Sequence, residues 1–547
     1  MGKGNTARTI FISFMVGMLS IGAAWAGAVL APAPDEASAK GKPTTTTLAP
    51  TTTTAPTTTT TTPPPPIPPL GQGSVLAGAS KISIEPRPGD YGGTWERDFD
   101  KCAPSQSYLE DQPNRVEDHL AVAGTPWPEN PNCLYMGGFS IGPVNPIVNW
   151  DQEYGLWVRS AVIGDGADTM VLTIIDGEGW FWDYDKKCSG LDATDQCGSK
   201  QIAENVGAEL GIPAENFVIA ATHAHSSPDF IGGWGFVPDW YMNQVRDSVE
   251  DSIRQAYANR TEAILEVGEE DARPYNSERR DTYRSAEEQQ VTWLRARTAG
   301  TNTPETIMTI GAFAAHPTTK GTNDGTAHPD WVGVFEKRLE DRFGGIGLHF
   351  MTGLGNMSTS GGTSMGERLA NIIPTPGGGT TIKDNTDVRV DQTSWAQPAT
   401  NVPLTGLGFP GFFDRQFNEA PAEVRTGKSP DTAPCESASP VSVSVSATGA
   451  RIGDQFALSA SPGEVFSNFT NTVKDKSGAL VTMPLGQAND ALGYMPQNFE
   501  ISPVGQQGLG FVAGGVLIVN YEDSYAIDRC YGDMALETTL GLLAGIR

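Results

Sequence analysis

The sequence predicts an α/β fold, with one large domain built on a mixed internal sheet flanked by helices and a strand-rich C-terminal part. Three observations point to it. Short apolar runs rich in β-branched residues recur between Thr169 and Met351. Stretches with apolar residues at helical spacing alternate with them. Strand-like runs resume near Val441, making the C-terminal part strand-rich before a closing helix.

The elements follow in order. Thr169-Met-Val-Leu-Thr-Ile-Ile reads as a strand ending at Asp176-Gly177. Lys200–Leu210 reads as a helix, and Asn216-Phe-Val-Ile-Ala-Ala as a buried strand entered through Pro213. Asp239–Asn259 is the clearest helix, with Tyr241, Val245, Val249, Ile253 and Tyr257 on one stripe. Strands are expected at Ala263–Val267, Val291–Arg295 and Ile307–Phe313, then a helix at Trp331–Phe343 feeding a strand at Gly347–Met351. Residues 373–435 turn rich in Gly, Pro and Thr without clear periodicity and read as a long loop, either a lid or a surface insertion. Gly515–Asn520 reads as a strand and Asp533–Ile546 as a closing helix.

Of the 547 residues, the first seventy are not globular material. Met1–Arg8 is short and basic, and Ile10–Leu30 carries no charge. Residues 1–30 are therefore either a secretory signal cleaved after Ala24-Trp25-Ala26 or an uncleaved anchor. Both export the chain, to the medium or to the cell surface. Residues 31–72 form a linker whose Thr/Pro run from Pro43 to Leu70 spans about 3.1 Å per residue when extended. It is either a stalk attaching the protein to a membrane or cell wall, or a plain disordered leader. The net charge of −27 argues against nucleic acid and anionic membrane surfaces as partners. Six cysteines in an exported chain favour disulfides, and sequence proximity suggests Cys102 with Cys133 and Cys188 with Cys197, leaving Cys435 with Cys530.

Histidine is scarce, six in all, yet clustered. His223 and His225 lie in Thr222-His-Ala-His-Ser-Ser-Pro, at the end of the Phe217 strand. On a continued strand they would project from one face, where they could share a metal, or one could bind metal while the other moves protons. His316-Pro-Thr ends the Ile307 strand, and Gly353-Leu-Gly-Asn-Met-Ser358 is a small-residue loop after the Phe350 strand. Sites in open α/β sheets gather at such strand ends. His328 is either a residue backing the site or a surface one, and His119 and His349 read as hydrogen-bonded loop residues.

These motifs resemble, in order, those of the neutral/alkaline (non-lysosomal) ceramidases. Ala77–Pro86 resembles the opening strand of that catalytic domain, and Thr222–Pro228 its Thr-His-Thr-His-Ser-Gly-Pro motif. His316-Pro-Thr is similar to its second zinc histidine, and Gly355-Asn-Met-Ser358 to its Gly-Asp-Val-Ser loop. Pro462-Gly-Glu464 resembles the segment supplying a zinc carboxylate, Gly493-Tyr494 the Gly-Tyr of the metal shell, and Tyr521-Glu522 a later Tyr-Glu. The resemblance spans residues 75–547, so residues 73–547 are expected to form the catalytic domain, without the family's C-terminal immunoglobulin-like domain.

The resemblance implies Zn²⁺ held by His223, His316, Glu464 and Tyr494, with His225 as the proton-handling neighbour. Ser358 and Tyr521 would stand at the reacting carbonyl, and an arginine of Asn276-Ser-Glu-Arg279-Arg280, taken as Arg279 with the register open, would match the family's substrate arginine. It implies hydrolysis of the N-acyl amide bond of ceramide or a similar lipid, releasing fatty acid and a sphingoid amine. The chain departs from the pattern at Asn356, where the family carries Asp, at Thr359-Ser360 and at Ser227. Two alternatives stand beside this expectation. One is hydrolysis of another acylated amine or ester. The other is a non-catalytic surface binding protein on a ceramidase-like scaffold.

Overall fold

The structure, a computed structural model, describes residues 70–87, 134–138, 145–184, 188, 197–232, 237–280, 286–401, 404–405, 415, 417–419, 423–430, 432–501 and 521–547. The export segment, nearly all of the linker, His119, the Cys102–Cys133 pairing and the Gly515–Asn520 strand lie outside the described residues. The other two expected disulfides are formed, Cys188–Cys197 and Cys435–Cys530.

The main sheet is built from β1 (Val75–Ser83), β2 (Trp157–Gly164), β3 (Thr169–Ile175), β4 (Phe217–Ala221), β5 (Thr261–Asp271), β6 (Gln290–Thr298), β7 (Thr306–Phe313) and β8 (Ile346–Met351). Their order is β8-β7-β6-β5-β1-β2-β3-β4, with the short Thr380–Thr381 strand added beside β5. The sheet is mixed. β3–β4 and β7–β8 are parallel pairs at its two ends, and the pairings between them are antiparallel. Each parallel pair is joined by one helix, α1 (Ser199–Leu210) for β3–β4 and, after α2 (Asp239–Ala258), α3 (Asp330–Phe343) for β7–β8. That connection is what parallel strands require.

The strands read as near-continuous apolar runs because both faces are covered. In β3 and β4, Met170, Leu172, Ile174, Val218 and Ala220 enter an inner core, while Val171, Ile175, Phe217, Ile219 and Ala221 pack outward against α1 and α2. In β6 and β7 the outward residues Val291, Trp293 and Phe313 pack against α3 and α4 (Met365–Ile372). The sheet curls, so that β7 and β8 return within reach of β1, and β8 also reaches β2 and β3. Arg159 of β2 and Glu336 of α3 form a buried ion pair of 2.9 Å across this closure. The curl brings the end of β7 towards the end of β4, although the two strands stand far apart in the sheet order.

The inner face is sealed by a second sheet of β9 (Val388–Pro398), β10 (Val441–Ile452), β11 (Phe456–Ala460) and β12 (Val481–Leu485), in that order. Ile452, Phe456, Leu458 and Met483 join the same inner core. Its far face carries α5 (Ser467–Ser477) and α6 (Tyr531–Gly545), through Phe469, Val473, Leu536 and Leu543.

Two expectations need correcting. The loop expected over residues 373–435 contains β9, an eleven-residue strand paired along its whole length with β10. It is an edge strand with Arg389–Ala396 exposed or half-buried, so its pairing rests largely on backbone hydrogen bonds and leaves no apolar period to read. His349 is not a hydrogen-bonded loop residue. It lies inside β8, fully buried, with its ring 4.7 Å from Trp331 and 5.2 Å from Phe335.

Candidate functional site

The parallel ladder between β3 and β4 ends where both strands end, and Thr222 makes one further backbone bond to Ile175 at 2.9 Å. The chain then turns at His223, whose φ of 57° is a left-handed conformation costing a non-glycine residue about 1–3 kcal/mol. His223 and His225 thus do not project from a strand. The turn brings their rings edge to face, 5.0 Å apart, and His316 joins them at 5.1 Å and 5.9 Å.

Each remaining segment is tied to this point by backbone. His316 donates its N–H to Met357 at 3.1 Å and bridges Ser358, and Thr359 returns a side-chain bond to the His316 carbonyl. Met357–Thr359 pairs with Asn276–Glu278, Ser358 facing Ser277, which delivers Arg279 to the same place. Glu464–Val465 and Tyr494–Met495 form a two-residue parallel ladder with Glu464 opposite Tyr494.

The side chains converge. Glu464 Oε2 lies 3.0 Å from His316 Nε2 and 3.6 Å from His223 Nε2. Tyr494 Oη lies 3.4 Å from His316 Nε2 and accepts a 2.8 Å bond from Arg279. Arg279 also donates to the Gly355 carbonyl at 2.9 Å and pairs with Glu522 at 2.9 Å. Arg280 turns away, into a buried pair with Asp523 at 2.7 Å.

Burial pushes the His223 imidazole down to about 4, with Glu464 pulling the other way. His225 and His316 are pushed well below the ordinary range, again by burial first. The three rings are therefore neutral near pH 7. His223 Nδ1 sits 2.6 Å from the Glu178 carbonyl and His316 Nδ1 2.8 Å from the Leu354 carbonyl. In a neutral ring the Nδ1 proton is committed to that carbonyl, so Nε2 offers a bare lone pair. Two such lone pairs face Glu464 Oε2, which has no hydrogen-bond partner among the described residues. Burial pushes the Glu464 carboxyl up, so acceptors crowded in this way are satisfied either by its own proton or by a cation. Two donors on one tetrahedral zinc at about 2.0–2.1 Å stand about 3.3 Å apart, a value between the two separations found here. The residues present fit such an ion.

Ser358 is half-buried beside His316, and its hydroxyl has no hydrogen-bond partner among the described residues. Tyr521 opens the 3-10 turn that carries Glu522, but its side chain lies outside the described residues. Two departures from the expected motifs have structural roles. Asn356 is fully buried, donating to the Ala286 carbonyl at 2.7 Å and accepting the N–H of Ser467, the first residue of α5, at 2.8 Å. Ser227 bonds the Ala224 carbonyl inside the histidine turn. His328 is buried outside the cluster, and its N–H braces that turn through the Ser226 carbonyl at 2.8 Å.

One participant was missed in the sequence. Glu178 is buried with Oε1 3.6 Å from His225 Nε2. The signal was its place between two glycines at the end of β3, one more strand end beside the histidines.

No protein-family model and no curated protein sequence matches this chain. Solved structures do. The neutral ceramidase from Pseudomonas aeruginosa is similar over 87% of this chain and 75% of its own, at 15% identity and a TM-score of 0.55. A ceramidase complexed with C2 is similar over 86% of this chain and 74% of its own, at 15% identity and a TM-score of 0.56. The mixed α/β fold with its strand-rich C-terminal part is consistent with theirs.

Proposed function

We propose that this protein hydrolyses the amide bond of an N-acyl lipid, ceramide or a close relative, at a zinc ion held by His223, His316, Glu464 and Tyr494. The observation that carries the reading is the convergence of two bare Nε2 lone pairs on Glu464 Oε2. When bound, zinc supplies Lewis-acid polarisation of the amide carbonyl and lowers the pKa of a water towards ~7.

The chain's own residues do the rest. His225, neutral because it is buried, accepts a proton from the attacking water and passes it to the departing amine. Fatty acid and sphingoid amine are the products. The uncommitted Ser358 hydroxyl, with the Tyr521 phenol, donates to the carbonyl oxygen as negative charge grows there. Arg279 holds the Tyr494 oxygen in place through its 2.8 Å bond. Fold likeness to the two ceramidases supports the substrate class. The reading of residues 1–72 as an export segment and linker supports a secreted or surface-attached enzyme, with residues 73–547 as its catalytic domain.

Hydrolysis of another acylated amine or ester would use the same groups. A non-catalytic binding protein is favoured less, because Asn356 holds Ala286 and Ser467 and is not an eroded reactive position. Purified full-length protein should carry about one zinc per chain. It should also release fatty acid from short-chain fluorescent ceramides or N-acyl amino acids, reversibly blocked by a chelator. Stoichiometric zinc without release from any N-acyl lipid would sink the amidase reading, and absence of zinc would favour the binding protein.

A further inference from the structure

We infer that Glu178 is a positioning residue that fixes the ring of His225 for proton transfer, an inference resting on the proposed role of His225. The residue follows β3 in Asp176-Gly-Glu-Gly, and its side chain is fully buried. Its Oε1 stands 3.6 Å from His225 Nε2, and its Oε2 has no hydrogen-bond partner among the described residues. Among the described residues no lysine or arginine pairs with it. A buried carboxyl lacking a cationic partner is costly to keep. The His225 ring is the basic group it faces.

Glu178 also reaches the other histidine of the motif, since its backbone carbonyl takes the Nδ1 of His223 at 2.6 Å. One residue thus meets both rings, bonding one through its peptide and facing the other with its side chain. The pocket around the pair is closed by bare backbone. A Cβ on Gly137 would stand 2.4 Å from Glu178 Cβ, and one on Gly138, where φ is 72°, would stand 2.0 Å from His225 Nδ1. An imidazole that moves a proton needs one nitrogen anchored so that the other is presented in a single protonation pattern. Carboxylates placed behind histidines supply that anchor. A distance of 3.6 Å is long for a hydrogen bond, and such contacts tighten once substrate is bound.

The test uses full-length protein carrying Glu178→Ala, Glu178→Gln, His225→Ala, or Glu178→Ala with His225→Ala. Glu178→Ala is expected to lower kcat about 10- to 100-fold with KM within about twofold and zinc content unchanged. Glu178→Gln, which keeps an oxygen facing the ring, should retain more activity than Glu178→Ala. In the His225→Ala background Glu178→Ala should have no further effect. An equal fall in both backgrounds, or loss of zinc in Glu178→Ala, would overturn the inference. Nitrogen NMR of the His225 ring separates it from the activity reading. Wild type should show one dominant tautomer and Glu178→Ala a mixture, whatever the substrate. Identical ring signals in both would refute the positioning role even if amide hydrolysis is found.

Discussion

Glu464 and Tyr494 face each other across a two-residue parallel ladder, so a carboxylate and a phenol leave neighbouring strands at the same height. The ladder sets their separation before any ion arrives, and His316 lies against both. Glu464→Ala and His223→Ala are expected to abolish zinc retention after dialysis. Tyr494→Phe should weaken it without abolishing it. Elemental analysis of the three dialysed variants checks this, and wild-type zinc content in Glu464→Ala would count against the ligand set.

Asn356 joins the Ala286 carbonyl to the Ser467 N–H from a fully buried position. Asn356→Asp keeps the acceptor but replaces the donor with a charged oxygen facing a carbonyl. An unsatisfied buried group of this kind costs about 1–3 kcal/mol, and more when charged. Urea unfolding at neutral pH should show a loss at the upper end of that range, shrinking at acid pH, where the protonated acid can donate again. Higher activity with unchanged stability would instead make position 356 part of the reaction.

Arg279 and Arg280 are neighbours with opposite duties. Arg279 bonds the Tyr494 phenol and pairs with Glu522, whereas Arg280 pairs with Asp523 out of contact with water. Arg279→Lys should lower kcat with little change in the unfolding midpoint, because a single ammonium cannot serve the Tyr494 and Gly355 oxygens and Glu522 together. Arg280→Ala strands a buried carboxylate and should cost about 3–5 kcal/mol in stability. Kinetics and thermal unfolding on the same samples separate the two.

The buried His349 ring, with neither nitrogen hydrogen-bonded among the described residues, is pushed by burial from the ordinary 6.5 down to about 3. Between those values the unfolded chain takes up a proton that the folded chain refuses. Stability conferred by the neutral ring is therefore complete above the unfolded value and falls as pH drops towards the folded one. The slope is about 1.4 kcal/mol per pH unit for one proton. His349→Phe should flatten the acid limb of the stability curve by that amount, and equal slopes for variant and wild type would refute the assignment.

The parts legible in the sequence were those whose residues report their own surroundings. β3, β4 and β7 are buried on both faces, so composition alone marks them as strands. The stripe on α2 marks its packed face. β9 was hidden because its partner, not its side chains, makes it a strand. His223 and His225 were expected together through strand alternation, and they meet instead through a left-handed turn that no periodicity announces. Glu464 and Tyr494 carry no local mark of their ladder, and only family resemblance pointed to them. Glu178 was overlooked because a lone acid after a strand looks like any surface turn until its burial is known.

The curl of the main sheet has a consequence for folding. His223 and His316 follow strands from distant positions in the sheet order, and Glu464 and Tyr494 come from the C-terminal part of the chain. All of these contacts are distant in sequence, which makes them late and slow to form. A nascent chain lacking the C-terminal strands has the histidines but not Glu464, so a metal held by the proposed set would be captured tightly only by the finished molecule. On the proposed zinc reading, a bound ion would act as a clasp on the closed sheet. Free metal at a thousand times its Kd would then add about 4 kcal/mol to the folded state.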